Sequence, residues 1–510
     1  MRNSAVNFLF KTVRKYPEKL FIFDKQETLK FGQFFLRVFS LAEALKQHGI
    51  SNQPIVIYLP KSVSAIVAFA AVLTSGNFYV PLNLQSPKKR MQQILDQLVL
   101  CRVISTKKYQ KDLQKLLISQ ENIIFLEDVP DLAKNLTLEE MITKSQLTTN
   151  KIIDVDPCYM MYTSGSTGIP KGVVISHRGV CDYIEWAVSC LKVDENEVIG
   201  NQAPLFFDNS TLDIYLSWAT GAMLYLILEE TFIFPVNLIK YLEKHKITFI
   251  FFVPSILINI SKMKLLNPNS LPTLKKVIFA GEVMPTKHLA YWQENLPGRL
   301  YVNLYGPTEI TVDCTYFIVD RIYQPHESLP IGYPRDNSGI LILREDGSLV
   351  KTCEKGELCI RGSSLALGYW NNSEKTREVF VQNPLQTNYN DLIYRTGDMC
   401  YQNEKGEIIF VGRKDYQIKY MGYRIELGEI ETMAKSIPKI DNCCALYNET
   451  KQEITLFYEG RTEIPISKFR KLLSKLIPTY MIPRKIIKLD SLPINPSCKI
   501  DRKALINEYF

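Results

Sequence analysis

The chain has 510 residues and a mass of 58.7 kDa, enough for two to four domains of about 150 residues around a large buried core. Apolar residues make up 46% and charged residues 22%, so the composition excludes a disordered or fibrous protein, and the length excludes a toxin scaffold. The formal net charge is +8, but the lysines are scattered without a basic block, which argues against nucleic acid as a partner.

The segment from Met1 to Leu20 predicts an amphipathic helix, because five basic residues interrupt its apolar positions. It therefore lacks the continuous apolar core of a signal peptide. The most apolar later stretch, Ile247 to Ile260, is too short to span a bilayer and contains Pro254, so it predicts a buried strand followed by a helix. No membrane segment is expected.

The cysteines and histidines favour reduced thiols in a cytoplasmic protein. There are 11 cysteines, without a C-x-x-C pair, and only Cys443 and Cys444 are adjacent. The 5 histidines lie far apart. Neither a disulfide framework nor a zinc site is predicted.

Short apolar runs alternate with helical patterns through most of the chain. This alternation predicts an α/β fold, in which mainly parallel sheets are flanked by helices and ligands gather at the carboxyl ends of the strands. The predicted strands are 54–59, 77–81, 275–280 and 300–305. A predicted helix over 62–75 follows the first strand, and a second over 87–97 follows the next strand.

The pattern changes at about Asn337, where short strands are separated by acidic and glycine-containing turns. These turns predict a small antiparallel, barrel-like part. After Gly412 a helix (426–437), a strand (454–459) and a second helix (466–473) predict a small α+β domain. We place the boundary between residues 1–414 and 415–510.

A loop rich in glycine, serine and threonine follows the apolar run that ends at Met161. Its backbone N–H groups and hydroxyls can turn toward one anion, and Lys171 adds a positive charge. The loop is not a Walker motif, because Lys171 stands at the wrong spacing from Gly168 and no serine or threonine follows it. The sequence predicts a polyphosphate-binding loop comprising Thr163, Ser164, Gly165, Ser166, Thr167, Gly168 and Lys171.

Together with this loop, a series of further motifs resembles the adenylate-forming superfamily, which contains acyl-CoA ligases, luciferase-type enzymes and nonribosomal peptide synthetase adenylation domains. The resemblance covers essentially the whole chain and is strongest to free-standing adenylation domains and to proline- or D-alanine-carrier protein ligases. The motifs are Asn303-Leu304-Tyr305-Gly306-Pro307-Thr308-Glu309, Gly356-Glu357-Leu358 leading to Gly368-Tyr369-Trp370, Tyr394-Arg395-Thr396-Gly397-Asp398, Gly412-Arg413-Lys414-Asp415 and Lys499-Ile500-Asp501.

The resemblance implies a binding site for ATP and Mg²⁺. Its members use the position of Asp398 to bind the ribose hydroxyls and that of Arg413 to contact the nucleotide. Tyr305 has an aromatic face for adenine and Asn303 a donor and an acceptor for its amine, with Gly306 beside them. By the same resemblance, Glu309 holds Mg²⁺ and Thr308 contacts the α-phosphate.

Lys499 receives the main catalytic role from the resemblance. In the family the matching lysine lies on a mobile small domain and stabilises charge as the acyl oxygen attacks phosphorus. The small domain is expected to turn about the hinge residue Asp415 between two half-reactions. This chain has Cys498 where the family usually has glycine, which adds strain if that position needs a positive φ.

Residues beside the motifs predict the substrate. Asp208 falls where amino-acid-activating members bind the α-ammonium, and the residues matching the side-chain pocket are mostly aliphatic. L-Proline is the best assignment. Asp313 is the exception to this lining, because it is acidic where an apolar residue is expected. Either its carboxylate helps Asp208 to bind proline's secondary ammonium, or it turns toward solvent or toward the nucleotide. The predicted lining consists of Asn209, Leu212, Phe251, Ile278, Ala280, Leu304, Val312 and Asp313.

The sequence therefore predicts a ligase that activates a small amino acid as its adenylate. The acyl group would pass to the phosphopantetheine thiol of a separate carrier protein, because the chain lacks a Gly-Gly-x-Ser carrier motif. Three alternatives stay open: a ligase for D-alanine or another small amino acid, an acyl-CoA ligase, and a catalytically silent nucleotide or amino-acid sensor.

Overall fold

The computed structural model describes residues 4–98, 101–165, 168–494 and 500–510. These residues divide into two compact units. Of the described residues, the first unit comprises 4–82, 101–161 and 172–414, and the second comprises 83–98, 162–165, 168–171, 415–494 and 500–510. None of the described helices combines the length and apolarity that a bilayer crossing requires.

The first unit contains a nine-stranded sheet whose six central strands are parallel. Phe249–Phe252 is buried at every position, as expected for a strand covered on both faces. The strand order is Tyr333–Pro334, Thr315–Ile318, Leu300–Tyr305, Lys276–Ala280, Phe249–Phe252, Val198–Asn201, Met223–Leu226, Leu20–Phe23 and Thr28–Lys30.

A second sheet has seven strands and is also mainly parallel. Its order is Gly368–Tyr369, Lys171–Ser176, Pro157–Thr163, Phe78–Pro81, Pro54–Ile57, Arg102–Ser105 and Ile123–Phe125. The third sheet is antiparallel and corresponds to the predicted barrel-like part. It is formed by Ser338–Leu343, Gly356–Gly362, Leu392–Gln402 and Phe380–Gln382, with Ile408–Arg413 paired to Leu392–Gln402.

Helices surround these sheets and supply much of the core. Val63–Thr74 is apolar on all sides and almost entirely buried, and the Ser62 hydroxyl caps it by accepting from the Ala65 N–H. The helices of the first unit are Asn7–Lys15, Phe31–Lys46, Val63–Thr74, Gln110–Lys115, Leu138–Thr149, His177–Cys190, Asn209–Thr220, Glu229–Phe232, Pro235–Lys244, Pro254–Lys262, Thr286–Asn295 and Ser373–Val379.

The second unit is a small α+β body with its own apolar core. Its strands form a hairpin, Gln417–Tyr420 with Tyr423–Glu426, and a three-stranded sheet of Asn442–Asn448, Glu453–Glu459 and Lys485–Leu489. Its helices are Lys88–Leu98, Leu427–Lys435, Ile466–Leu473 and Arg502–Tyr509. Parallel sheets flanked by helices, an antiparallel part and an α+β segment together confirm the predicted α/β fold class.

Candidate active site

Asp398 and Arg413 are neighbours on two antiparallel strands of the first unit. Their backbones are paired in register, and Arg413 Nη1 donates to Asp398 Oδ1 over 2.7 Å. The Tyr305 hydroxyl donates to the other carboxylate oxygen. Burial and the nearby Asp398 charge raise the pKa of Tyr305 well above its ordinary value, so the phenol stays a donor. The carboxylate is held in one orientation, and each oxygen has a further lone pair for a diol.

Asn303 and Tyr305 lie two residues apart on the strand Leu300–Tyr305, and therefore on one face of it. Both are buried. Asn303 Nδ2 donates to the Pro330 carbonyl over 2.8 Å. This bond uses one of the two N–H donors of the amide and orients the side chain, whose carbonyl oxygen can accept from an amine such as that of adenine.

Gly306 is required by a close backbone approach. A Cβ at this position would lie 2.3 Å from the Val312 carbonyl oxygen and 2.5 Å from the Asp313 Cα. The approaching turn is strained, because Thr311 and Val312 are β-branched and yet have φ of 59° and 70°. Strain of this kind is found where a fold fixes functional side chains. Here it places the predicted pocket residues Val312 and Asp313 directly after the Thr308–Ile310 turn.

Glu309 is fully buried, and the Tyr369 hydroxyl donates to its Oε1 over 2.7 Å. Among the described residues there is no group of three or more His, Cys, Asp and Glu side chains that could hold a metal by themselves. A single carboxylate completed by nucleotide phosphates and water is the usual manner of binding Mg²⁺. Glu309, with the hydroxyl of Thr308 next to it, fits that donor set.

Four of the predicted amino-acid pocket residues lie on three adjacent parallel strands of the nine-stranded sheet. Phe251 is paired with Ile278, and Ala280 with Leu304, on adjacent parallel strands. Asp208 and Asn209 are partly exposed at the start of the helix Asn209–Thr220, and the Asp208 side chain does not cap that helix. The aliphatic and aromatic members are all part of the extensive apolar core of the first unit, which includes Leu212, Phe251, Ile278, Ala280, Leu304 and Val312.

Asp313 is buried, which excludes the alternative that it turns toward solvent. The Tyr183 hydroxyl donates to Asp313 Oδ2 over 2.7 Å. Burial, followed by the charge of Asp313, raises the pKa of Tyr183 well above its ordinary value, and Asp208 acts in the same direction. The phenol is therefore within electrostatic reach of both carboxylates. Arg335, which is also buried, donates from Nε to the Asp313 carbonyl over 2.9 Å.

Three residues that contribute to this site were missed in the sequence: Tyr183, Arg335 and Tyr369. Tyr183 lies on the helix His177–Cys190 and reads as ordinary core packing. Tyr369 belongs to the motif Gly368-Tyr369-Trp370, and that motif was the one sequence signal that could have assigned it to the site. Arg335 follows a proline in a polar turn, and no pattern distinguished it from a surface residue.

The predicted phosphate loop belongs to the second unit, where its donors face carboxylates. The Gly165 N–H donates to Glu429, and Lys171 Nζ lies 3.8 Å from Glu426 Oε1. Glu429 also pairs with the buried Arg90. Burial raises the pKa of Glu429, against the opposing effect of Arg90. The loop therefore binds anionic groups of the chain itself, and a polyphosphate would have to displace them.

The other described residues of the loop make contacts of their own. Ser164 Oγ donates to the Arg424 carbonyl over 2.8 Å, and Thr163 ends the strand Pro157–Thr163. Gly168 has a φ of 80° and packs against Met433. Asp415 begins the carboxyl-terminal part of the second unit and accepts from the Gln417 N–H. Ser166, Thr167, Cys498 and Lys499 lie outside the described residues.

A family model described as AMP-binding enzyme matches residues 9–370. Zwittermicin A synthase ZmaJ of Bacillus cereus is 31% identical over 506 residues, which are 97% of this chain and 93% of that protein. Tyrocidine synthase 1 of Brevibacillus parabrevis is 31% identical over 494 residues, and the chain spans 44% of its length. The chain belongs to the AMP-binding enzyme family, which confirms the predicted adenylate-forming superfamily and ligase class.

Solved structures agree with this fold. The Vibrio cholerae adenylation domain AlmE, in complex with glycyl-adenosine-5'-phosphate, superposes with a TM-score of 0.84 at 24% identity and covers 100% of this chain and 98% of that chain. IdnL1 superposes with a TM-score of 0.78 at 25% identity and covers 96% and 98%.

Proposed function

We propose that this protein joins a small α-amino acid, L-proline in our assignment, to AMP and then transfers it to a thiol. In the first step a substrate carboxylate oxygen bonds the α-phosphorus of ATP, and pyrophosphate leaves. In the second step the thiol sulfur attacks the acyl carbonyl carbon and forms a thioester. AMP leaves, and the thiol proton passes to solvent. Asp398 carries most of this assignment, because both of its oxygens are oriented by fixed donors and retain capacity for ribose hydroxyls.

The other roles follow from residues of each unit. Asn303 and Tyr305 bind adenine, and the loop from Thr163 to Lys171 binds the phosphates. Thr308 contacts the α-phosphate. Glu309 would hold Mg²⁺, which when bound neutralises phosphate charge. Lys499 would stabilise the charge that forms during attack on phosphorus, and the carboxyl-terminal segment would turn about Asp415 between the steps.

L-Proline as the substrate rests on two carboxylates and an apolar lining. Asp208 lies at the start of the helix Asn209–Thr220, and Asp313 is buried, with its Oδ2 accepting from the Tyr183 hydroxyl. Proline's secondary ammonium has two N–H donors, which matches two carboxylate acceptors. The surrounding aliphatic residues fit a compact apolar ring, with each surplus or missing methylene worth about 1–3 kcal/mol.

A panel of amino acids in an ATP–pyrophosphate exchange assay tests this function. We expect L-proline to exchange fastest, followed by alanine, serine and valine. Faster exchange with D-alanine or another small amino acid would change the substrate assignment, but the proposed adenylation chemistry would stand. No exchange with any amino acid would favour the sensor alternative.

The acceptor is proposed to be a phosphopantetheine arm on a separate carrier protein in the cytoplasm. Two solved proteins of the same fold, described as an adenylation-PCP di-domain NRPS from Klebsiella oxytoca and as an NRPS protein containing adenylation and PCP domains, support a carrier-protein thiol as the acceptor. Mass spectrometry of holo-carrier proteins after incubation with ATP and proline should detect the aminoacyl thioester. Turnover with free CoA in the absence of a carrier would instead favour the acyl-CoA ligase.

Asp313→Asn tests whether the second carboxylate binds the ammonium. The change keeps the size of the side chain but replaces a charged acceptor by a neutral one, which weakens a hydrogen bond by about 1 kcal/mol. We expect the KM for L-proline to rise about 5- to 10-fold while the KM for ATP stays the same. Tyr183→Phe, which leaves the carboxylate in place, should have a smaller effect. An unchanged KM for proline in Asp313→Asn would remove Asp313 from ammonium recognition.

A further inference from the structure

Lys61 makes an unusual set of contacts inside the first unit. It lies between the strand Pro54–Ile57 and the helix Val63–Thr74. Its Nζ is 3.0 Å from the Asn201 carbonyl oxygen, 3.0 Å from that of Gln202 and 3.2 Å from that of Ala203. An ammonium group has three donors and no acceptor, so these three consecutive carbonyls match it completely.

The three carbonyls begin the segment that ends in Asp208. This segment leaves the strand Val198–Asn201 and leads into the helix Asn209–Thr220. A second bond ties its start to that helix, because Asn201 Nδ2 donates to Asp213 Oδ2 over 2.8 Å. Lys61 and Asp213 thus anchor the segment from two sides, and its position determines where the Asp208 carboxylate stands.

We propose that Lys61 is a positioning residue for amino-acid binding, which holds residues 201–208 so that Asp208 meets the substrate's α-ammonium. This role rests on the proposed function. It is distinct from nucleotide binding, because the Lys61 ammonium bonds to the carbonyls of residues 201–203, whereas the nucleotide is assigned to Asn303, Tyr305, Asp398 and Arg413. A displacement of about 1 Å at a reacting group can cost up to about 100-fold in rate, so such an anchor has a measurable effect.

The charge of Lys61 gives the anchor a pH dependence. Burial lowers the pKa of Lys61 to about 7, against the opposing effect of the carboxyl groups of Asp213 and Glu229, which face it. Burial also raises the pKa of Asp213 to about 8. Below pH 7 the ammonium offers three donors to the three carbonyls. Above pH 7 the neutral amine keeps only two, so the anchor weakens as the pH rises.

The test compares Lys61→Met and Lys61→Arg with the wild-type protein in the exchange assay. Lys61→Met should raise the KM for the amino acid about 10- to 100-fold and change the KM for ATP less than about twofold. In the wild type the amino-acid KM should rise between pH 6 and pH 8. Lys61→Arg should recover most of the binding and abolish that rise, because arginine stays charged throughout.

Lys276→Met is the matched control. Lys276 is also a buried lysine on a backbone carbonyl, since its Nζ donates to the Lys192 carbonyl over 2.8 Å and also pairs with Glu197, and these partners lie outside residues 201–208. We expect this variant to leave the amino-acid KM unchanged. Equal increases of the two KM values in Lys61→Met, or an unchanged pH profile in Lys61→Arg, would overturn the positioning role.

Hydrogen–deuterium exchange keeps this inference separate from the proposed function. Peptides covering residues 201–208 should exchange faster in Lys61→Met than in the wild type or in Lys276→Met. Unchanged exchange in these peptides would overturn the anchor even if the protein activates proline. If the wild type activates no amino acid, the proposed function falls, and the exchange experiment still decides whether Lys61 holds the segment. If Lys61→Met does not fold, Lys61→Arg and its pH profile decide the question.

Discussion

We expect Asp398→Ala to raise the KM for ATP by at least about 100-fold. In the proposed role this carboxylate accepts both ribose hydroxyls, and a hydrogen bond to a charged group contributes about 1.5–3 kcal/mol. The substitution also leaves the guanidinium of Arg413, which is paired with Asp398 over 2.7 Å, without its carboxylate. Asp398→Asn keeps two acceptor lone pairs on one oxygen and should lose about 10-fold. ATP titrations in the pyrophosphate exchange assay measure both values.

Asp391→Ala is the matched control for this prediction. Asp391 is a buried acid next to the same strand and pairs with Arg361, whose Nε is 3.1 Å from Asp391 Oδ1. It has the same type of ion pair but no proposed contact with ATP. Its substitution should lower the melting temperature without changing the KM for ATP. A similar rise in KM in both variants would mean that Asp398 supports the sheet and does not bind ribose.

The sequence predicted the sheet architecture because its signals are local. Runs such as Phe249–Phe252 are apolar at every position and are bounded by a lysine-rich helix end and a proline, so a buried strand is the only element they fit. Ends were less accurate, because hydrogen bonds determine where an element stops. The helix predicted over 426–437 runs from Leu427 to Lys435, since Glu426 completes the preceding strand.

The part of the site that the sequence did not predict depends on contacts between distant residues. Tyr183 and Asp313 are 130 positions apart, and no spacing rule connects them. The turn at Thr311 and Val312 goes against residue preference, because β-branched side chains disfavour positive φ. It forms because Gly306 admits the Val312 carbonyl and because Thr311 Oγ1 donates to the Ser364 carbonyl over 2.8 Å. Such compensation is visible only in three dimensions.

The largest loss is expected for Lys499→Ala, which should abolish amino-acid-dependent pyrophosphate exchange. Lys499 lies outside the described residues, and the prediction follows from its place in the Lys499-Ile500-Asp501 motif. Removing one preorganised donor from developing charge costs about 100- to 1,000-fold in rate. In the proposed role the lysine acts on phosphorus in the first half-reaction alone. Transfer of a supplied aminoacyl adenylate to a thiol should therefore stay within a few-fold of the wild-type rate.

Lys503→Ala separates this role from a general effect of charge near the carboxyl terminus. Lys503 is exposed on the helix Arg502–Tyr509, four positions after Lys499, and its removal should change neither half-reaction. A normal rate of exchange in Lys499→Ala would show that another cation acts on phosphorus. Equal losses in exchange and thiol transfer would mean that Lys499 serves both half-reactions. The proposed turn about Asp415 would then not be needed to move Lys499 out of the site before the second half-reaction.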